Sequence, residues 1–182
     1  MRVVESVLLG AWAAFWIYWL VAAARAKRGR IAWSRELRLR VALAVVVLLL
    51  LRVGVFRHGD PHTRPWREAV GLVLVAAGLG FAVWARRHIG RNWGAPMSQK
   101  DDPELVTSGP YGLVRHPIYT GILTGLVGTA VALSWTWLVV AVLAGAYFVY
   151  AATVEERNMT ERFPDAYPAY RARTKMLVPF VF

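Results

Sequence analysis

The chain contains no cysteine and few acidic residues. Without cysteine, these 182 residues form no disulfide, no thiolate metal site and no Cys nucleophile. Charged residues make up 18% of the sequence and hydrophobic residues 57%, which is too apolar for an ordinary soluble domain. The net charge is +11, but no basic segment is interleaved with aromatics as in nucleic-acid-binding proteins. We therefore expect no nucleic-acid partner, and attribute the positive charge to loops that face anionic lipids.

Five apolar segments are long enough to cross a hydrocarbon core, which takes about 20 residues of helix. They span roughly residues 3–24, 39–56, 68–85, 117–134 and 136–154. The first is too long for a signal peptide, and its positive charge follows it, so we expect a retained helix. The pattern predicts an all-α polytopic membrane protein whose last two segments form a tight helical hairpin.

Positive charge is distributed unevenly over the predicted loops. Of the 22 lysines and arginines, 17 lie in the loop after the first segment, the loop before the fourth, and the tail. The other five lie on the opposite side. The positive-inside rule makes the richer side cytoplasmic. We therefore expect the N-terminus outside and the C-terminus in the cytoplasm, which requires an odd number of spans.

Two polar segments, residues 91–121 and 155–180, flank the predicted hairpin, so its folding should bring them together in a cytoplasmic pocket at the membrane surface. In the first, Pro117 suits the first turn of a helix, whose free N–H groups favour an anion. Arg115 offers a fork of donors for a carboxylate, and His116 and Tyr119 add a ring nitrogen and a hydroxyl. Anchoring at the interface explains each residue alone. Together with Tyr111, however, they are five such residues within nine positions, which exceeds that need.

In the second segment, Glu155 and Glu156 are adjacent carboxylates close to the membrane. Like charges there are unfavourable unless they face water or a cation meets them. The spacing of Arg162 from Glu155 places both on one helical face. Arg171 follows further along the tail and is the second basic side chain that could meet an anion.

These motifs carry a resemblance. The sequence GPYGLVRHPIYTG, a helical hairpin, and then EE-x-x-M-x-x-x-F-P-x-x-Y-x-x-Y ending in LVPF resemble the isoprenylcysteine carboxyl methyltransferase family. This is a group of integral-membrane methyltransferases that includes phospholipid methyltransferases. The RNW sequence at 91–93 fits the family's lead-in, and the resemblance covers residues 91–182. The family usually has Leu and Phe-Gly where this chain has Met159 and Phe163-Pro164, and Pro164 affects the local backbone bend.

The resemblance implies one membrane-embedded methyltransferase domain over 1–182, with generic membrane helices in 1–86 and the catalytic motifs in 87–182. It implies S-adenosylmethionine as the methyl donor and no metal. The cofactor-binding residues would be Tyr111, Val114, Arg115, His116, Pro117, Tyr119, Glu155 and Glu156. The catalytic residues would be Arg162, Glu156 and Arg171. The expected acceptor is the carboxylate of a lipophilic, isoprenoid-like membrane molecule, which would become a methyl ester.

Three alternatives remain open at this point. One is methylation of a phospholipid amine headgroup. Another is an NADPH-dependent membrane reductase, because sterol reductases share a related architecture with an RHPxY-like element. The third is a non-enzymatic channel or scaffold, which predicts charges inside the spans. Only Arg52 lies well inside one, near its outer end, where snorkelling accounts for it.

Overall fold

The computed structural model describes residues 3–23, 29–30, 64–93, 99–100 and 104–181, and seven single positions between 38 and 52. Its helices are α1 (Val3–Ala23), α2 (Pro65–Ile89), α3 (Pro117–Ala132), α4 (Leu138–Arg162) and α5 (Ala166–Arg173). Short 3-10 turns occupy Gly90–Asn92, Gly109–Gly112 and Trp135–Trp137. Two-residue strands, β1 (Gly29–Arg30) and β2 (Gln99–Lys100), pair antiparallel. The predicted all-α class is confirmed, with this strand pair as a small addition.

Long apolar helices make the chain an integral membrane protein. Among the described residues, Val3–Ala22, Pro65–Asn92 and Trp135–Arg162 are long and apolar enough to cross a membrane, and α3 is shorter. These three correspond to the first, third and fifth predicted segments, and α3 corresponds to the fourth. The second predicted segment, 39–56, lies outside the described residues except for single helical positions.

Helix α4 is longer than the apolar run predicts. Its 25 residues extend about 37 Å, whereas a hydrocarbon core is about 30 Å thick, so it projects past the membrane. The apolar run ends near residue 154, but the EERNMTER sequence that follows is rich in good helix formers and continues the helix. The helix stops at Arg162, before Phe163 and Pro164. Glu155 and Glu156 therefore lie inside a rigid helix, two turns before its end.

Glycines bring α2 and α3 into close antiparallel contact. A Cβ at Gly78 would lie 2.5 Å from the Gly121 carbonyl oxygen, and a Cβ at Gly121 would lie 2.5 Å from the Gly78 oxygen. Such small residues let two membrane helices pack backbone against backbone. Helix α1 is tied to the pair because Trp12 Nε1 donates to Thr129 Oγ1 at 3.1 Å. These contacts fix the start of α3 beside the end of α2.

Adding a methyl group at Gly78 should break this packing. We expect Gly78→Ala to lower the free energy of unfolding by about 1–3 kcal/mol, the usual cost of overpacking, because the clash is with backbone. Gly80→Ala is the matched control, since its added Cβ meets nothing within 4 Å and the gain in helix propensity is the same. Unfolding in mixed detergent micelles measures both. Equal stability of the two variants would show that the helices are not packed through Gly78.

Candidate functional site

A cavity of about 480 Å³ lies where α1, α3, α4 and the tail meet. Its volume is in the range of small-molecule sites. Six of the residues singled out in the sequence lie on its wall: Tyr111, Arg115, His116, Pro117, Tyr119 and Glu155. The other four, Val114, Glu156, Arg162 and Arg171, are not on the wall. The structure places them behind it or beyond its edge.

A 3-10 turn shapes the backbone before α3. Gly109 has φ +59°, and a Cβ there would lie 2.7 Å from the His88 ring, so the position suits only glycine. The turn presents Tyr111, whose carbonyl oxygen accepts a hydrogen bond from the Tyr170 hydroxyl at 2.6 Å. This bond joins the turn to α5. The end of α2, the turn and the tail helix are thereby held together at one side of the cavity.

The tail pairs with the chain that leads into α3. Val114 forms a parallel bridge with Lys175, and its side chain is fully buried. The Arg115 amide donates to the Lys175 carbonyl at 2.8 Å, and the His116 amide donates to the Met176 carbonyl at 3.1 Å. The two polar segments of the sequence are therefore joined by backbone hydrogen bonds. Val114 packs inside this junction and does not face the cavity.

A buried ionic cluster supports the wall from behind. Arg115 Nε donates to Glu156 Oε1 at 2.7 Å, and these side chains are only 8% and 5% exposed. Arg115 also donates to the Thr174 carbonyl of the tail. His116 Nε2 lies 3.3 Å from the same oxygen of Glu156, and Arg171 Nε lies 3.5 Å from the other oxygen, Oε2. Glu156 is therefore fully occupied by cations of the protein itself.

Glu155, next in the same helix, faces the cavity. Its Oε1 accepts from the Tyr119 hydroxyl at 2.6 Å, and His116 Nδ1 lies 3.4 Å from its Oε2. The His116 and Tyr119 rings stack at 5.4 Å, and Tyr119 stacks on Phe148 at 4.4 Å with an angle of 8° between the planes. Three parallel rings thus form an aromatic stack beside a carboxylate.

The protonation states follow from burial and from charge. Burial by itself lowers the pKa of His116, but hydrogen bonds to Glu155 and Glu156 and their negative charges raise it above its ordinary value. Both ring nitrogens face carboxylates, so the imidazolium form is favoured. Burial also raises the pKa of Tyr111, and it raises the pKa of Tyr170 to about 12, so both phenols stay neutral donors.

Asn92 and Glu104 form a second polar patch on the wall that sequence reasoning missed. Asn92 Nδ2 donates to Glu104 Oε2 at 3.0 Å. The Asn92 Oδ1 atom is buried and accepts no hydrogen bond from the residues that the structure describes. Next to it, the Arg86 guanidinium lies over the Trp93 ring at 4.6 Å. The RNW motif was the available signal, but nothing in it indicated that Asn92 faces a cavity.

In the same described ranges, no group of three or more His, Asp or Glu side chains is placed to hold a metal.

The other end of the cavity is apolar. It is lined by Trp16 and Trp19 of α1, Ile122 of α3, and Ala144 and Tyr147 of α4. These positions lie at least one turn inside the membrane-spanning helices. Sequence reasoning treated α1 as a generic span, because tryptophan is common in membrane helices near the interface. One cavity therefore connects a charged end at the membrane surface to an aromatic, apolar end inside the membrane.

The two tail arginines occupy different places. Arg162 is the exposed last residue of α4, and helical spacing puts it on the face of Glu155 and Met159, both of which line the cavity. It therefore lies one turn beyond the wall. Arg171 has a side chain that is 61% exposed and reaches Glu156 with its Nε atom. Only Arg171 joins the ionic cluster.

Comparison with known proteins gives a family match and several relatives. The sequence profile described as phospholipid methyltransferase matches residues 66–166. The cobalt-zinc-cadmium resistance protein CzcN of Cupriavidus metallidurans is 34% identical over 139 residues, which cover 74% of this chain and 61% of that protein. Protein-S-isoprenylcysteine O-methyltransferase B of Arabidopsis thaliana is 30% identical over 120 residues, 64% of this chain and 61% of that protein.

A further relative is the methanethiol S-methyltransferase of a Pseudomonas species. It is 29% identical over 111 residues, which cover 60% of this chain and 42% of that protein. The chain thus spans about three fifths of the first two relatives and less of the third. The matched region includes α2, α3, α4 and the wall residues between them, whereas the tail after residue 166 lies beyond the family match.

The ionic cluster predicts that the two adjacent glutamates differ in their effect on stability. We expect Glu156→Gln to lower the free energy of unfolding by about 3–5 kcal/mol, because it leaves Arg115 buried without a counter-ion. Glu155→Gln is the matched control and should cost much less, since Glu155 is a quarter exposed and can keep its hydrogen bond from Tyr119. Unfolding of the purified protein without ligand gives both values. Equal losses would contradict the assignment of Glu156 as the buried partner.

Proposed function

Because the chain belongs to the phospholipid methyltransferase family of membrane proteins, we propose that it transfers a methyl group from S-adenosylmethionine to the carboxylate of a lipophilic, isoprenoid-like membrane acceptor. The product would be a methyl ester. The observation that carries the proposal is the single cavity with a charged, aromatic end at the membrane surface and an apolar end inside the membrane. Such a cavity suits a water-soluble donor and a lipid acceptor that meet at one point. We propose that residues 1–182 form one membrane-embedded domain.

The charged end fits the chemistry of S-adenosylmethionine, a zwitterion that carries an adenine. Asn92 Oδ1 is a buried acceptor that lacks a donor among the described side chains, and an adenine amine would satisfy it. The stacked rings of His116, Tyr119 and Phe148 all line the cavity and offer aromatic contacts to an adenine. Glu155, a carboxylate on the wall beside this stack, suits an ammonium group. When bound, S-adenosylmethionine supplies an electrophilic methyl group, and its sulfur leaves as a neutral thioether.

The remaining candidates for cofactor binding fall into two groups. Some line the cavity, and the others support the lining from behind. We propose that Tyr111 and Pro117 shape the wall, whereas Val114 and Glu156 act from behind it. Arg115 belongs to both groups, because it lines the cavity while two of its nitrogens hold Glu156 and the tail. His116, held between two carboxylates, keeps Glu155 oriented toward the cavity. The protein thus holds the ligand-facing groups rigidly before any ligand arrives, which lowers the cost of alignment.

The apolar end supports a lipophilic acceptor. A carboxylate acceptor is already ionised near neutral pH and needs no base, so the protein's task is to align it and to exclude water. We propose that Arg162 orients this carboxylate, because it follows Met159 on the cavity-facing side of α4 and projects from the membrane surface. Arg171 is the second choice, since its side chain is largely exposed although its Nε pairs with Glu156.

We further propose that the charged end faces the cytoplasm, with the N-terminus outside and the C-terminus inside. The 17-to-5 distribution of lysines and arginines supports this orientation, and it would place the basic loops against anionic lipids. S-adenosylmethionine would then reach the cavity directly from the cytosol.

A second acceptor class is supported by Glu155. A carboxylate on the wall of a water-poor cavity can remove a proton from an amine or a thiol as it is methylated. The family profile is described as phospholipid methyltransferase, and one relative is named as a methanethiol S-methyltransferase. An amine headgroup or a small thiol is therefore the alternative to the carboxylate, and the product distinguishes them.

The proposed donor predicts ligand-dependent stability. S-adenosylhomocysteine at 100 times its Kd should stabilise the folded protein by about 2.7 kcal/mol, whereas NADPH should not. Glu155→Gln should weaken this binding by about 1.5–3 kcal/mol, the contribution of a charge-assisted hydrogen bond. Glu161→Gln, an exposed carboxylate on the same helix, is the matched control and should bind normally. Thermal unfolding and calorimetry measure both effects.

Labelled methyl transfer into membrane lipid and protein extracts completes this test. Base treatment releases the label from an ester, but not from a methylamine or a thioether. Stabilisation by NADPH and not by S-adenosylhomocysteine would reject the methyltransferase proposal in favour of a reductase.

Removal of Arg162 should separate binding of the acceptor from binding of the donor. Because a clamp acts in the transition state, we expect Arg162→Ala to lower kcat even at saturating acceptor, with donor affinity unchanged. Arg162→Lys should also be impaired, since lysine keeps the charge but loses the planar two-pronged contact. Arg157→Ala, an exposed arginine on another face of α4, is the control. Wild-type turnover in both Arg162 variants would transfer the role to Arg171.

A further inference from the structure

The last residues of the described chain expose an apolar tip. We define the tail tip as residues 178–181. Within it, Val178, Phe180 and Val181 are 48%, 95% and 75% exposed, directly after the buried Leu177. Their side chains form a continuous apolar surface with no polar residue between them, since the remaining member is a proline. In water, such a surface is unfavourable in proportion to its exposed area.

The depth of the tail tip follows from the pairing of the tail with α3. The tail runs parallel to the chain that leads into α3, so each later tail residue contacts a residue nearer the membrane. The last of these contacts joins Thr120 Oγ1 to the Leu177 carbonyl at 2.7 Å. Thr120 lies in the first turn of α3. The tail tip therefore continues from a point that is level with the first turn of an apolar membrane helix.

The neighbouring helix gives the level of the membrane surface. Gly121 of α3 packs against Ala82 of α2, because a Cβ at Gly121 would lie 2.7 Å from the Ala82 amide nitrogen. Arg87, an exposed basic residue in the last turn of α2, follows about one turn later. Cationic side chains at a helix end mark the boundary between lipid and water. The tail tip follows Leu177 and therefore begins on the lipid side of that boundary.

We propose that the tail tip inserts into the interfacial region of the lipid bilayer and anchors the tail there. A turn closed by the Val181 amide and the Val178 carbonyl at 3.2 Å directs the Phe180 ring outward. The turn holds Phe180 at φ 67°, a conformation that L residues adopt rarely. Lipid stabilises the exposed ring, because its burial in the acyl boundary removes its area from water.

The anchor acts on the cavity through the same short stretch of tail. Thr174 and the carbonyls of the next two residues hold Arg115 and His116. A tail fixed in lipid at one end and in the ionic cluster at the other cannot shift along α3. The bilayer thereby becomes part of what keeps the cavity wall in place.

A fluorescent probe tests the location directly, since this cysteine-free chain accepts a single label. Phe180→Cys, labelled with an environment-sensitive dye in phosphatidylcholine nanodiscs, should emit at shorter wavelength than Ala172→Cys, an exposed position on α5. Brominated acyl chains should quench the probe at 180 severalfold more than the probe at 172. Aqueous iodide should show the reverse order. Equal iodide quenching at both positions overturns the proposal.

A probe at 180 that is shielded from iodide but not quenched by brominated lipid also overturns it, because a second copy of the chain would then cover the tip. Phe180→Asp gives an independent readout. In nanodiscs it should accelerate hydrogen exchange severalfold at the Arg115 and His116 amides, which donate to the tail, whereas Phe180→Leu should not. Unchanged exchange in Phe180→Asp contradicts the anchor. Neither measurement involves methyl transfer, so a failure here is distinct from a failure of the proposed function.

Discussion

The buried ion pair between Arg115 and Glu156 is the contact on which the site depends. It joins the lead-in to α3 with α4, and through the Thr174 carbonyl it adds the tail. Burial of both charges costs several kcal/mol per ion, so the pair persists only because further partners surround it. His116 and Arg171 supply them on the side of Glu156. The cluster is therefore better understood as a device that fixes one docking geometry than as a net source of stability.

The sequence predicted which segments meet, because the physical reason is local. A tight turn between two membrane helices must bring their outer ends together, and the structure joins the chain before Pro117 to the tail after Arg173. Sequence spacing did not distinguish Glu155 from Glu156. Adjacent residues of a helix point about 100° apart, so one carboxylate faces the ionic cluster and the other faces the cavity. The helix runs past Glu156 to Arg162, and this length makes the difference in direction rigid.

The parts that the sequence did not predict depend on contacts between distant elements. Gly78 and Gly121 read as ordinary membrane glycines until α2 and α3 are placed against each other. Trp16 and Trp19 are typical of any membrane helix near an interface, and only the packing of α1 assigns them to a cavity wall. Apolar composition gives the extent of a segment in lipid, but it does not give the length of the hydrogen-bonded helix. For that reason the predicted span of residues 136–154 gave no end for α4, although the helical spacing of Glu155 and Arg162 already indicated that the helix continues beyond it.

The placement of the cavity across the membrane surface also constrains the proposed chemistry. At its charged end, Tyr119 and His116 hold Glu155, and Glu156 holds Arg115 from behind the wall. At its apolar end, the wall consists of apolar and aromatic side chains from three membrane helices. Rigid polar contacts suit a donor that is the same in every turnover, whereas an apolar, aromatic wall discriminates weakly between lipids of similar width. Specificity would then come from the reacting group of the acceptor, which lies at the membrane surface. Contact of that group with Arg162 would favour a carboxylate, whereas contact with Glu155 would favour an amine or a thiol.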